Sequence, residues 1–196
     1  DRADAQGLSF VAAAGNSANN NDLAPTYPAS YSIPNVLSIA ATSSGDNMAS
    51  FSNFGSQSVH VASPGISILS TLPGDSFGYS SGTSMAAPFV AGLAALLIRE
   101  YPSINGYQVK GVVYENSFVV GGLDGKVASK GRMDVFQSLN FVQNNDIDSY
   151  QPDYTGSSDP RALASAGGAS GGCGLVKKVL DQGNKGGGPK NPGSGQ

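Results

Sequence analysis

The stretch Gly82-Thr83-Ser84-Met85-Ala86-Ala87-Pro88-Phe89-Val90-Ala91-Gly92 sets a hydroxyl in a turn of small residues with an apolar segment directly behind it. From Met85 to Glu100 the residues Val90, Leu93, Ala94, Leu97 and Ile98 recur at spacings of three and four, which predicts a helix. The segment is apolar nearly all round, so burial is expected. Pro88 falls near its start, where a missing N–H costs least, and Tyr101-Pro102 closes it. A serine at the head of a helix is commonly an N-cap. The neighbours of Ser84 argue for more. Gly82 permits close backbone approach, and Ala86, Ala87, Ala91 and Gly92 permit tight packing. The helix N-terminus adds positive potential beside the hydroxyl.

Working outward, Leu8 to Ala14 is an apolar run ending at Gly15, read as a buried strand entering a turn. Val36 to Ala41 reads the same way after the turn-rich stretch from Asn19 to Pro34. Val59 to Ala62 is a short third strand closed by Pro64-Gly65. Ile66 to Leu72 alternates, meets Pro73-Gly74-Asp75, and continues at Phe77 to Tyr79, the signature of a hairpin. Further helices are expected from Tyr107 to Asn116 and from Met133 to Val142. Strands apolar on both faces, interleaved with helices, predict an α/β fold: a three-layer parallel sheet flanked by helices.

Beyond Asn144 the composition changes to Gly, Ser, Asn, Asp and Pro. The expected division is a folded part over 1–144 and a tail over 145–196, mostly disordered because it cannot bury enough apolar surface to offset chain entropy. An apolar patch from Leu175 to Leu180 interrupts that tail. Cys173 lies in it as an ordinary thiol or an attachment point.

Of the 196 residues, 13% are charged and 27 are glycine, with a formal net charge of -3. That balance speaks against nucleic acid as a partner and suits a secreted, loop-rich domain. One cysteine and one histidine leave no internal disulfide framework and argue against a zinc site. No apolar run approaches the ~18 residues of a membrane span, so none is expected. The chain opens with Asp1 and its first methionine is Met48, so its N-terminus is not expected to be the start of the gene.

The longer word around Ser84 resembles the nucleophile motif of the subtilisin-like serine proteases. Other segments fall in the order that family shows. Ala12 to Asn16 (AAAGN) resembles its oxyanion-hole segment, and Gly131 to Val135 (GRMDV) the start of its late helix. Tyr27 to Ala29 (YPA), Phe51 to Gly55 (FSNFG) and Ala62 to Ile68 (ASPGISI) resemble segments between. The resemblance spans Leu8 to Val142. It implies that Ser84 attacks a peptide carbonyl, and that Asn16 and the backbone N–H of Ser84 stabilise the oxyanion. Losing such a donor costs ~10²–10³ in rate, a magnitude known from a subtilisin itself. Thr83 would help shape the hole, and Gly82 and Thr83 would count among the substrate-binding residues. Ala13, Ala14 and Gly15 would line one wall of the pocket for the residue before the cut. Peptides or proteins would be the substrate, with no cofactor required.

The family places an Asp and a His before the oxyanion asparagine to orient and activate the serine. No histidine precedes Asn16 here. The resemblance therefore implies the C-terminal portion of a catalytic domain, lacking its N-terminal strands and partnered by the missing N-terminal half. An exposed apolar face is expected near Leu8 to Ala14, where absent elements would pack. An inactive pseudoprotease or peptide-binding module on the same fold is the alternative. His60, the one histidine, is expected at the surface or supporting a turn. Gly74-Asp75-Ser76 is similar to a chymotrypsin-type nucleophile, but Phe77 stands where that site needs glycine. The oxygens of Asn19-Asn20-Asn21-Asp22 could serve a structural calcium or simply turns.

Overall fold

The computed structural model describes residues 2–153. A short helix α1 (Arg2–Ala5) leads into β1 (Phe10–Ala13), followed by β2 (Val36–Thr42), β3 (Val61–Pro64), β4 (Ile68–Leu72) and β5 (Ser76–Ser80). Then come α2 (Thr83–Glu100), α3 (Gly106–Glu115), β6 (Phe118–Val119), a 3₁₀ turn (Gly121–Leu123), β7 (Gly131–Arg132) and α4 (Val135–Asn144). The main sheet has the order β1-β2-β3-β7-β6. Its pairs β1/β2, β2/β3 and β3/β7 are parallel, and only the short β6/β7 pair at one edge is antiparallel. The sequence expectation of an α/β fold with a mostly parallel sheet holds.

The reason lies in β2, whose every residue is buried. One set of its side chains, Leu37, Ile39 and Ala41, joins Val61 and the α2 residues Val90, Leu93 and Leu97 in the larger core, with Val109, Val112 and Val113 of α3. Ala40 and Ala62 face a smaller cluster with Ala14, Val59, Leu123 and Val127. A strand apolar on both faces can sit only inside a sheet covered on both faces. The expected hairpin is β4/β5, with Gly74 and Asp75 at its tip in the left-handed region. Gly74-Asp75-Ser76 is therefore turn chemistry.

Two expectations need correction. α2 is not buried all round: Phe89, Leu96 and Ile98 are exposed while Val90, Leu93, Ala94 and Leu97 are buried. Pro88 lies past the first turn and removes the bond that Ser84 C=O would otherwise accept. By length and composition α2 is also apolar enough to cross a membrane, with a mean hydropathy of 1.2 over 18 residues. In the fold the helix packs on β1, β2 and β3, and core helices pass the same test of length and composition.

The folded part also extends past the boundary expected at Asn144. Ile147, Tyr150 and Pro152 are buried against α3. Gln108 Nε2 donates to Ile147 O and Tyr150 O, and Gly111 has no room for a side chain beside Pro152. The expectations for Cys173, for the patch Leu175 to Leu180 and for a disordered tail lie outside the described residues.

The exposed apolar face expected near Leu8 is present. β1 is the edge strand, and Leu8 and Phe10 are 58% and 44% exposed. Beside them a groove lined by Leu8, Val11, Ala95, Ile98 and Ile104 runs between β1 and α2.

Candidate active site

Parallel strands deliver their following loops to one end of the sheet. Gly15-Asn16 after β1, Gly65 after β3 and the Gly82 turn before α2 meet there. Gly82 N–H donates to Gly65 O at 2.8 Å, which seats the turn carrying Ser84 against the end of β3. Gly65 must be glycine, since a Cβ there would lie 2.8 Å from Gly82 O.

Gly82 occupies the N-cap position and makes no side-chain cap bond, so Ser84 is the second residue of α2 and not its cap. Its side chain is exposed. The neighbour Thr83 is fully buried and links the two halves of the site. Thr83 N–H and Oγ1–H both donate to Asn16 Oδ1, each at 2.9 Å, and Thr83 Oγ1 accepts Gly15 N–H at 3.2 Å. With the carbonyl end of Asn16 engaged in this way, its NH₂ end lies over the turn: a Cβ on Gly82 would stand 3.3 Å from Asn16 Nδ2. The serine and the asparagine named from sequence are thus adjacent. A hydroxyl at a helix start can attack a carbonyl, and a fixed amide donor beside it can bind the resulting oxyanion.

The wall residues divide. Ala13 and Gly15 are half-buried, whereas Ala14 is 0% exposed and its methyl belongs to the smaller core. Ala14 therefore lines no open pocket through its side chain, contrary to the sequence expectation, because β1 turns that position toward Ala40 and Ala62. Gly82 is buried with Thr83.

His60 is not at the surface. It is 4% exposed, its Nδ1 accepts Ser38 N–H at 2.9 Å, and its backbone N–H donates to Ser38 O. Burial, with the nearby Lys110, holds its pKa well below the ordinary histidine value. It precedes β3, while Gly65 follows it, so at ~3.3 Å per residue the imidazole lies at the far end of the sheet from Ser84. It cannot serve that serine as a base.

Sequence reasoning missed the carboxamide that organises this end. Asn53, in the FSNFG segment, is 2% exposed and bonds the chain on both sides of Asn16. It lies in the loop between β2 and β3, where pattern alone could not distinguish it from a solvent-facing turn asparagine. In the asparagine cluster, Asn21 Oδ1 accepts from Asn19, Asn53 and Thr26. Asp22 accepts from Ser56, Gln57 and Ser58.

The sequence profile of the subtilase family, peptidase S8, matches residues 1–158. The chain belongs to the subtilase family. Subtilisin-like protease 2 of Plasmodium falciparum is 46% identical over 92 residues, which is 47% of this chain and 7% of that protein. Subtilisin of Bacillus pumilus is 42% identical over 111 residues, covering 56% of this chain and 39% of the relative. A solved protease of Pseudoalteromonas arctica superposes with a TM-score of 0.62 at 28% identity, over 71% of this chain and 44% of that one. The self-cleaved protease domain of PatA gives 0.63 at 27% identity, over 74% and 54%. The chain thus spans about half or less of the length of these relatives.

Proposed function

We propose that this subtilase chain supplies the nucleophile and oxyanion hole of a secreted serine endopeptidase whose Asp and His come from polypeptide outside it. Ser84 Oγ attacks the substrate carbonyl. Asn16 Nδ2 and the backbone N–H of Ser84 hold the oxygen as it gains charge, and the acyl-enzyme is then hydrolysed. The observation that carries this reading is the pair of bonds from Thr83 to Asn16 Oδ1, which turns an amide donor toward the turn of the nucleophile. His60 is the one histidine and is sealed at the other end of the sheet, so the base must be brought in. The apolar edge at Leu8, Phe10 and Ile98 is suited to receive the segment that brings it. Without that polypeptide, Ser84 lacks a base and has little or no hydrolytic turnover.

The reading needs no cofactor. The side-chain oxygens of Asn21 and Asp22 already accept protein hydrogen bonds, which favours a turn over a calcium site there. The substrate is a peptide or protein, and Ala13 and Gly15 leave room for a large apolar side chain before the cut.

The test is to join the chain to the coding sequence that precedes Asp1 and treat the product with a fluorophosphonate probe and a denatured protein substrate. Labelling at Ser84 and hydrolysis, both lost in Ser84→Ala, are the expected result. A preceding sequence without an Asp and a His in the family's motifs, or a complete domain that binds peptide without labelling, would establish the pseudoprotease instead.

A further inference from the structure

We propose that Asn53 is a positioning residue for the oxyanion hole: its buried carboxamide fixes the backbone on either side of Asn16 and so sets where the Asn16 donor points. The inference rests on the role given to Asn16 above, but its geometry stands by itself. Asn53 Oδ1 accepts Ser17 N–H at 2.9 Å and Asn19 N–H at 3.1 Å. Asn53 Nδ2 donates to Ala14 O and Asn21 Oδ1, both at 3.0 Å, and to Thr26 Oγ1 at 3.2 Å. Its backbone N–H donates to Gly15 O at 2.8 Å. The residue two before Asn16 and the one after it are therefore tied to the Asn53 side chain, and the one before it to the Asn53 backbone. A carboxamide offers two donors and two acceptor sites; its two hydrogens face three acceptors, so one is shared, and both ends are engaged.

Two further features show that the segment is built around this side chain. Gly15 has φ +113°, where a side chain is strained, and a Cβ on it would collide with Asn53 Nδ2. Asn21 Nδ2 also donates to Ala14 O at 2.9 Å, so the clamp is braced from behind. Asn16, exposed itself, has its main chain gripped by Asn53 and its side-chain oxygen gripped by Thr83. An oxyanion donor acts only where it is held before charge develops, because reorganisation during the reaction would cancel its benefit. Asn53 touches neither substrate nor nucleophile. Its effect passes through Asn16.

Thr83 N–H is a direct reporter, since it donates to Asn16 Oδ1. The experiment is amide hydrogen exchange by NMR on the chain as it stands, comparing Asn53→Ser, Asn53→Ala and Asn16→Ala. Asn16→Ala sets the exchange rate of Thr83 N–H with its acceptor gone. The proposal requires Asn53→Ala to speed Thr83 N–H toward that limit, by about tenfold or more, while Ile39 and Ala40 in β2 follow only global stability. Asn53→Ser retains one hydroxyl and should fall between; it also serves if Asn53→Ala does not fold. Faster exchange at Ser17 and Asn19 with Thr83 unchanged would make Asn53 a turn-former only and overturn the proposal.

The second arm uses the completed domain. Asn53→Ser should lower kcat by about 10²-fold, the effect of a misplacement near 1 Å, with KM within about twofold. Combined with Asn16→Ala it should add little, since both act on one donor. A full additive loss would overturn the coupling. A completed domain without activity would count against the proposed function alone, and the exchange arm would still decide the role of Asn53.

Discussion

The two ends of β2 and β3 are built from opposite materials. At the end where the strands finish, the groups that hold the site together are neutral: the carboxamides of Asn16 and Asn53, the hydroxyl of Thr83 and the backbone of Gly15, Gly65 and Gly82. At the end where they begin, His60 is sealed against Ser38, with Lys110 buried at 2% exposure beside it. The same end connects to α3 through Ala128, whose N–H donates to Val59 O and whose carbonyl accepts Tyr114 Oη. Glu115, the next residue, carries a carboxyl with a raised pKa. The site end is thus specified by shape and hydrogen bonds among uncharged groups, whereas at the opposite end burial shifts the pKa of His60. Geometry at Ser84 should survive pH changes that strain the rest of the molecule.

The comparison breaks most directly at Gly15. Gly15→Ala forces a side chain into a left-handed conformation and into Asn53 at once. Strain and overpacking together predict a loss of about 2–5 kcal/mol in urea unfolding. A loss below about 1 kcal/mol would mean that the segment relaxes freely and that shape does not specify this end. Thr83→Val comes next. It keeps the volume but removes the acceptor of Gly15 N–H and one donor to Asn16, so about 1–3 kcal/mol should go. Neither variant should change the pH at which stability is greatest.

At the opposite end the folded state disfavours protonated His60, so its folded pKa lies below the unfolded value of 6.5. A group depressed in this way leaves stability intact above pH 6.5. As pH falls below 6.5, the unfolded chain takes up a proton that the folded chain refuses. Stability then drops by at most ~1.4 kcal/mol per pH unit until the folded pKa is reached. His60→Asn, which retains an acceptor for Ser38 N–H, should flatten this acid limb of the denaturation curve. An unchanged limb would assign acid sensitivity elsewhere and remove the contrast between the ends.

That contrast was only half legible in the sequence. The fold was readable because its signals are periodic: the helical spacing of Val90, Leu93 and Leu97, the continuous apolar run of β2, and the Pro73-Gly74-Asp75 tip. Ser84 and Asn16 were readable because each sits in a long, specific word. The remainder depends on contacts distant in sequence. Asn53 lies 37 positions from Asn16, as 53 minus 16 gives, and its role appears only when β2 carries the FSNFG segment back beside β1. His60 looked like a surface residue because a polar group in a short Val-His-Val run alternates as an edge strand would. Its burial follows from the parallel neighbours on either side of β3, which no local pattern reveals. β6 and β7, two residues each, are too short for any period.

The smallest expected effect sharpens the comparison most finely. Glu115 is pushed up to about 7, first by desolvation and then by the nearby Asp153 carboxylate, against the lowering influence of Asp153 N–H and the Tyr150 hydroxyl. A carboxyl raised in the folded state contributes its full stability below its ordinary value of 4.5. That contribution is lost as pH rises through about 7, because the unfolded chain ionises first. The residue is solvent-exposed, and its carboxylate accepts Asp153 N–H at 2.6 Å. Solvent screening therefore keeps the effect modest. Glu115→Gln should leave Tm unchanged at pH 4 and raise it slightly at pH 8, by scanning calorimetry of the same preparation. The gain should appear as tighter protection of residues 147–153, which α3 holds through Gln108 and Glu115. Thr83 N–H should not respond. A response there would show that the two ends of the sheet are coupled, and that the neutral construction of the site does not insulate it from charge at the other end.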